Sequence, residues 1–571
     1  MASLVKKTIR GKPYYYAREC KRVDGKPKIV WQKYLGRPQD IIDVMTGSTA
    51  TGAPAQPKEA VVSDFGAVAA LYDLAIKLQI MAFIDRHVPK KGSGPTVGTY
   101  LLIAAINRCV APCSKASIAE WFETTALRQL MDIEKRQLTS QRFWDNMDRV
   151  SQDAIVAIER DLVAHMVREF NIDLRRVLFD ATNFFTFIDT FNERSTLAQR
   201  GKSKEGRAAL RIVGLALLVS ADFHVPLMHR TYPGNKADAP TFSSLIDEIV
   251  VRYSLVTDGI EHITIVFDKG NNSQDNLDAV EESPYHFVGS LVPTQHPDLL
   301  AVPPKHFTSL EKDGLPGVLA YRTTKEVFGV ERTVLVTDNE NLFVAQSQTL
   351  LREIAKRQTR LRELQHQLRR RRQGKVRRGK PPTVKGTKKK VDGWLKARHM
   401  KDLFNVEITE EEGLPILRYR FDHRAWEHLQ KTLLGKNILF TDNDEWTDAE
   451  IVRGYRSQHH VETAFRGMKD PLHISLRPQH HWTDQKIEVH VFYCVLALML
   501  CSLLERELDR RGIKVSFGRA LDQLGKIQEV VVIYPPEGRK RKPTAKITVS
   551  AMTDEQRALY ETLALSRYLR T

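Results

Sequence analysis

Two aspartates close similarly patterned segments of this chain, Asp180 in RRVLFDATN and Asp268 in ITIVFDKGN. In each, an apolar run of strand length ends in an acid and passes into turn-forming polar residues. Open α/β sheets place their chemistry at such strand ends. One Asp of this kind commonly begins a turn or caps a helix; two with the same surroundings point to chemistry. A third acid, Glu462, lies in DAEIVRGYRSQHHVETAFRGMKD, from Asp448 to Asp470. That segment lacks Pro, opens with acids and carries Lys469 near its end, which predicts one helix. At ~100° per residue, Tyr455, Glu462, Arg466 and Lys469 project from one stripe. Val461, Ala464, Phe465 and Met468 turn away from it as a packing face. An acid beside a tyrosine and two cations suits phosphate plus a metal; the bland alternative is a solvated face with Glu462–Arg466 and Glu462–Lys469 pairs. Three carboxylates suffice as ligands for two Mg²⁺ ions ~3.5–4 Å apart, which can drive an in-line displacement at phosphorus.

Positioning these acids requires strands and a helix far apart in sequence. Val177–Phe179, Val213–Val219 and Ile263–Phe267 are short apolar runs suited to strands buried on both faces. Asp180 and Asp268 are 88 residues apart, and Asp268 and Glu462 are 194 apart. The second gap is too long for a simple crossover, so it must hold an insertion. It begins with an irregular, strand-like region after Val292. A polar helix follows from about Leu350 to Gln373, with Ile354, Leu361, Leu364 and Leu368 as an incomplete apolar stripe. Then comes a tract with twelve Lys/Arg and no acid between Arg369 and Lys390: Arg369–Arg372, Lys375, Arg377, Arg378, Lys380, Lys385 and Lys388–Lys390. Its Gly and Pro residues predict a flexible loop. The readings open to it are a solvated loop or one that binds nucleic acid.

Upstream, Tyr14–Cys20 and Ile29–Tyr34 flank the turn dipeptide Asp24-Gly25, and Thr46–Ala60 is linker-like in composition. Helical patterning runs from about Phe65 to Phe170, with residues 95–127 a helical candidate that shows no recognisable helix-turn-helix. The expected organisation is a β-hairpin segment (1–45), a linker (46–60) and a helical DNA-binding domain (61–170). The first part of a catalytic core (171–292) follows, then an insertion with a basic arm at 350–390 (293–438), the second part of the core (439–510) and a C-terminal region (511–571).

Composition bounds the setting. Lys and Arg number 87 against 69 Asp and Glu in 571 residues, a formal charge of +18, and 42% of residues are hydrophobic. The chain can bury a core, and its excess charge favours a polyanionic partner. Five scattered cysteines without a CxxC pair argue against a disulfide scaffold or zinc knuckle. The apolar stretch Val491–Leu504, fourteen residues, falls short of the ~20 a membrane span needs and reads as a buried helix. With no signal-peptide core at the N-terminus, the expectation is a cytoplasmic protein without a membrane partner.

These residues resemble the DDE transposases of bacterial insertion sequences, in particular the group with a YREK signature. Tyr455, Glu462 and Lys469 stand at that signature's spacings; its Arg position holds Gln458, and Arg456 or Arg466 could supply the cation. DATN at Asp180, GKSKEGR at 201–207, YPGN at 232–235 and FDKGN at Asp268 also look like this group. LFTDN at 439–443, ETAFRGMK at 462–469 and LRPQHHW at 476–482 complete the set, over roughly residues 170–505. The resemblance implies a multidomain α+β protein. Its RNase H-like mixed α/β core would be interrupted by a β-rich insertion and preceded by the β-hairpin segment and helical domain. It implies Asp180, Asp268 and Glu462 as catalytic ligands of two Mg²⁺ ions, with Mn²⁺ as a substitute. Tyr455, Lys469 and Arg466 would touch DNA phosphates near the cut. Arg371, Arg372, Arg377, Arg378, Lys388, Lys389 and Lys390 would hold DNA by charge. The implied partners are double-stranded DNA, as terminal inverted repeats and target, and a second copy in a synaptic homodimer. Cut-and-paste transposition, with or without hairpin ends, would follow. The competing functions are a catalytically silent DNA-binding derivative and an RNase H-like nuclease without strand transfer. Trp394, Trp426 and Trp446 are candidates to stack a flipped base, and Lys204 is a candidate phosphate contact or a solvated lysine. His459-His460, His480-His481, Cys109 and Cys113 read as packing residues rather than metal ligands.

Overall fold

The computed structural model describes residues 2–9, 12–23, 26–36, 38, 57–90, 92–189, 191–206, 209–236, 245–246, 248–250, 263–476, 480–534 and 544–570. Strands β1 (Ala2–Ile9), β2 (Lys12–Val23) and β3 (Lys26–Gly36) form an antiparallel sheet, one strand more than the expected hairpin. The Asp24-Gly25 turn lies outside the described residues, as do residues 46–56 of the expected linker. The linker's last two residues belong instead to β4 (Glu59–Asp64), because Ala60-Val61-Val62 pairs with the C-terminal strand β16 (Gln528–Tyr534), itself paired with β17 (Thr544–Val549).

Helices then follow as expected: α1 (Gly66–Lys77), α2 (Ile80–His87), α3 (Val97–Val110), α4 (Lys115–Glu123), α5 (Ser140–Met147) and α6 (Gln152–Phe170). Thr96, Thr139 and Ser151 cap α3, α5 and α6, each side-chain oxygen accepting a backbone N–H two or three residues inside its helix.

The central sheet has nine strands in the order β10-β11-β12-β15-β9-β8-β5-β6-β7. Strands β5 (Arg176–Phe185), β6 (Ile212–Ser220) and β7 (Pro226–Pro233) form an antiparallel meander. On the other side of β5, β8 (Thr264–Phe267) and β9 (His286–Leu291) run parallel to it. Every residue of β6 and β8 is buried, so their continuous apolar runs reflect coverage of both sheet faces. Helix α7 (Gln274–Glu281) connects β8 to β9.

The insertion corrects the expectation of a β-rich module. Strands β10 (Thr308–Ser309), β11 (Val318–Val327) and β12 (Val330–Asn339) extend the central sheet, and β12 pairs with β15 (Lys436–Thr441). What stands apart is mainly helical: α8 (Glu340–Arg372), α9 (Val384–Leu395) and α10 (His423–Thr432), with one hairpin of β13 (Phe404–Glu411) and β14 (Leu414–Phe421). The incomplete stripe of Ile354, Leu361, Leu364 and Leu368 is completed by Val391, Leu395, Met400 and Leu417 as a second hydrophobic core. The basic tract is therefore not one loop. Arg369–Arg372 end α8, residues 373–383 connect, and Lys385 and Lys388–Lys390 lie on α9, whose N-cap Thr383 accepts from Gly386 N–H.

The expected single helix over 448–470 is two, α11 (Asp448–Arg456) and α12 (His459–Lys469). Ser457 Oγ donates to the Gly454 carbonyl, and His459 Nδ1 meets the Arg456 carbonyl at 2.8 Å. These local bonds compete with the helical ladder and break it. The apolar run around Val491 belongs to a longer helix, α13 (Asp484–Arg510), of 27 residues. By length and composition α13 is able to cross a membrane, yet 94% of its most apolar window is buried within the fold. It packs against α1, α3, α6, β7 and α14 (Phe517–Leu524). The C-terminal region continues through α15 (Asp554–Thr562), which packs on α14.

Candidate active site

Parallel pairing sets the two aspartates side by side. Phe179 of β5 is the register partner of Phe267 of β8, so Asp180 and Asp268 are the next residue on each strand. Each carboxylate is fixed in the same way: Asp180 Oδ1 accepts the Ala181 N–H, and Asp268 Oδ1 the Lys269 N–H, both at 2.7 Å. The matching sequence contexts therefore correspond to matching local geometry. Helix α12 lies against β5 and β6 through buried Val461, Ala464, Phe465 and Met468, which leaves Glu462 and Arg466 exposed.

Despite the helix break, Tyr455 stays with the acids. Its hydroxyl donates to Ser290 Oγ on β9 at 2.8 Å. Burial pushes the Tyr455 phenol up; the Ser290 bond offsets part of this, and the nearby negative charges of Asp268 and Glu462 add to it. The helix carboxylate and the second strand carboxylate thus act on one phenol. Lys469 comes from the far end of α12, its Nζ donating to Thr182 Oγ1 at 2.7 Å with Glu205 Oε1 3.7 Å away.

A loop that sequence reasoning treated lightly completes this corner. Asn183 grips residues 201–206 with both ends of its amide: Nδ2 donates to the Lys202 carbonyl at 3.1 Å, and Oδ1 accepts the Lys204 N–H at 3.0 Å. Lys204 Nζ in turn donates to the Ala181 carbonyl at 2.5 Å. Gly201 permits the close approach, since a Cβ there would stand 2.2 Å from the Gly234 carbonyl oxygen. Thr182, Asn183 and Glu205 lie inside DATN and GKSKEGR, so the signal was present without its partners. Ser290 gave no sequence signal. Replacing Asn183 with alanine is expected to slow single-turnover strand cleavage by about 10–100-fold, as for groups that orient metal ligands, while end binding persists; an unchanged rate would show the grip to be dispensable.

Other expected residues fall elsewhere. Gln458 sits buried in the turn between α11 and α12, its Nε2 without a hydrogen-bond partner among the described residues. Arg466, exposed one turn after Glu462, is therefore the better placed cation on that face. Arg371, Arg372, Arg377, Arg378, Lys388, Lys389 and Lys390 lie on the inserted arm. There Arg371 donates to the Arg378 and Gly379 carbonyls, and Arg372 pairs with Glu411 at 2.8 Å. The three tryptophans are already engaged. Trp394 packs beneath Lys390 and Arg360, Trp426 packs on the second core, and Trp446 covers Gly454. His460 is pushed down to about 4 by burial and then by the His459 charge, as befits a packing residue. Cys109 is buried in the core and Cys113 bonds to Asn107.

Among the described residues no three His, Cys, Asp or Glu side chains close into a ready-made metal cage. The donor set nevertheless fits Mg²⁺, a hard ion that typically takes one or two carboxylates plus substrate phosphates and water. Asp180 and Asp268, oriented by their own strands, and the exposed Glu462 on α12 offer such oxygens.

Residues 173–500 match the family model of the transposase DDE domain. No curated protein matches the chain. Among solved structures, it is similar to a chain of the cryo-EM structure of a piggyBac transposase synaptic complex with hairpin DNA. That similarity has a TM-score of 0.31 and 9% identity over 81% of this chain and 78% of that one, too low to establish a shared fold. The family match covers more than half the chain and contains Asp180, Asp268 and Glu462; the protein belongs to the transposase DDE domain family, whose members are polynucleotidyl transferases that generally use divalent metal ions.

Proposed function

We propose that this protein is an insertion-sequence transposase of the YREK-signature group, which binds the ends of its element and catalyses DNA strand cleavage and strand transfer. The observation that carries this reading is the pairing of β5 and β8 that brings Asp180 and Asp268 to neighbouring positions on adjacent parallel strands. The order β7-β6-β5-β8-β9, three antiparallel strands followed by two parallel ones, supports an RNase H-like core.

Asp180, Asp268 and Glu462 would hold two Mg²⁺ ions. When bound, such ions supply activation of a water or 3′-OH and stabilisation of the leaving oxygen. The chain's own groups do the positioning. Lys469 and Lys204 converge on the residues immediately after Asp180, where they can pair with DNA phosphates. Tyr455, anchored on Ser290, would hold phosphates near the scissile end together with Lys469. Arg466 meets the backbone on the exposed face of α12. The helical region before residue 170 and the basic arm would hold duplex DNA, the ends being joined in a synaptic homodimer in the cytoplasm.

The test incubates purified protein with DNA carrying both element ends and a target, with and without Mg²⁺ or Mn²⁺. End-specific binding, metal-dependent cleavage and joined products are expected. Binding without cleavage under either metal would leave a silent DNA-binding derivative, and hydrolysis without joining a nuclease. Labelled ends in the same reactions report whether hairpins form.

A further inference from the structure

The segment following the first acid carries FFTFIDTF, Phe184 to Phe191, four phenylalanines in eight residues. Phe184 and Phe185 are buried, but Phe187 is 48% exposed and Phe191 89%, and Trp482 beside them is 62% exposed. Phe187 stacks on His480, ring centroids 5.2 Å apart at 18°, and meets Phe185 edge-on at 5.4 Å. Asn192 Nδ2 donates to the Trp482 carbonyl at 3.3 Å and ties the two segments together.

The backbone under these rings is firmly built. The Asp484 carboxylate accepts four hydrogen bonds, from Ser195 Oγ and Thr196 Oγ1 at 2.6 Å and from the Thr196 and Leu197 N–H groups at 3.0 Å. Arg211 donates to the Asn192 and Ala198 carbonyls. Exposed apolar side chains gathered in one place, rather than scattered singly, mark an interaction site. Exposed cations Arg194, Arg200 and Lys202 flank them; of the nearby acids, Asp189 already accepts the Phe191 N–H and Glu193 is exposed.

We propose that Phe187, Phe191 and Trp482 form a stacking platform for unpaired bases of the DNA strand that runs past the catalytic acids. The proposal rests on the transposase reading and adds a contact to it. Aromatic faces beside cations bind single-stranded nucleic acid, because stacking needs an exposed base face that duplex DNA hides. Position supports it: Phe185 lies five residues beyond Asp180 on β5, ~17 Å at strand rise, which is about five nucleotides of one DNA strand. A second copy of this chain is the poorer occupant, since each copy brings a formal charge of +18 to an already cationic margin.

The test compares Phe191→Ala/Trp482→Ala with wild type on two substrates: a fully paired end duplex, and the same duplex with seven or so unpaired nucleotides flanking the cleavage site. Wild type is expected to bind the unpaired form more tightly. The double variant is expected to lose at least about tenfold on that form, in keeping with the loss of stacked bases, and to bind the paired duplex within about twofold of wild type. Equal losses on both substrates, or wild type showing no preference, would overturn the platform. So would a changed sedimentation coefficient without DNA, which would make a second copy the occupant. Cleavage of paired ends by wild type reports separately on the transposase reading: with cleavage intact and no preference, only the platform fails.

Discussion

Asp268→Ala is expected to abolish strand cleavage while leaving end binding within about twofold. Asp268 follows the register partner of Phe179, caps the short helical turn Lys269–Asn271 and contributes to the field at Tyr455. It stands at the end of a strand whose apolar residues the substitution leaves in place. Removal of an outer-shell partner typically costs a metal site about 10–100-fold, and loss of a direct ligand should exceed that. Cleavage is read by single-turnover assay of a labelled end and binding by electrophoretic shift. A fall in both, with a lowered melting temperature, would mean that the carboxylate is structural.

The second large effect concerns the arm. Lys375, Arg377, Arg378 and Lys380 lie in the exposed connection between α8 and α9, outside the second core. Arg371 braces this connection through backbone carbonyls of residues 378 and 379, which side-chain changes leave intact. Changing the four residues together to Gln is thus expected to preserve the arm, whereas deleting residues 374–390 would also remove buried Val391's neighbours on α9. Each lost phosphate contact should flatten the log–log salt dependence by about 0.9, so the slope should fall by up to about 3.6 if all four touch phosphate. An unchanged slope, from binding titrations across a salt series, would make the connection a solvated loop. Clustering is the reason to expect so large a change: the twelve cations between Arg369 and Lys390 carry charge equal to two thirds of the chain's +18.

The acids and their strands were legible because they depend on local pattern. Val177–Phe179 and Val213–Val219 fall in β5 and β6, and Ile263–Phe267 matches β8 but for its first residue, where burial on both faces demands continuous apolar runs. The packing face of α12 was equally legible from its period. Most of what failed depends on contacts distant in sequence. Strands β11 and β12 looked like part of a separate module because β12 finds its partner β15 about a hundred residues later, Thr337 against Asn437. The stripe on α8 looked incomplete because α9 and the β13–β14 hairpin supply its other half. The break at Ser457 depends on side chains bonding to carbonyls, which helical periodicity ignores. At the site, Asn183 and Glu205 were visible as members of motifs, but their grip on a loop and on Lys469 appears only once β5 and residues 201–206 are brought together.

The central claim is that these carboxylates act as metal ligands for DNA strand transfer, and a change of ligand tests it most directly. Asp268→Cys replaces a hard oxygen with a soft sulfur at nearly the same place, and thiolates disfavour Mg²⁺ while accepting softer ions. End cleavage by this variant, measured beside wild type in Mg²⁺, Mn²⁺ and Cd²⁺, is expected to vanish in Mg²⁺ and to return in part with Mn²⁺ or Cd²⁺, with end binding unchanged. Cleavage at the wild-type rate in Mg²⁺, or no recovery in any of the three metals by a variant that still binds ends, would contradict it.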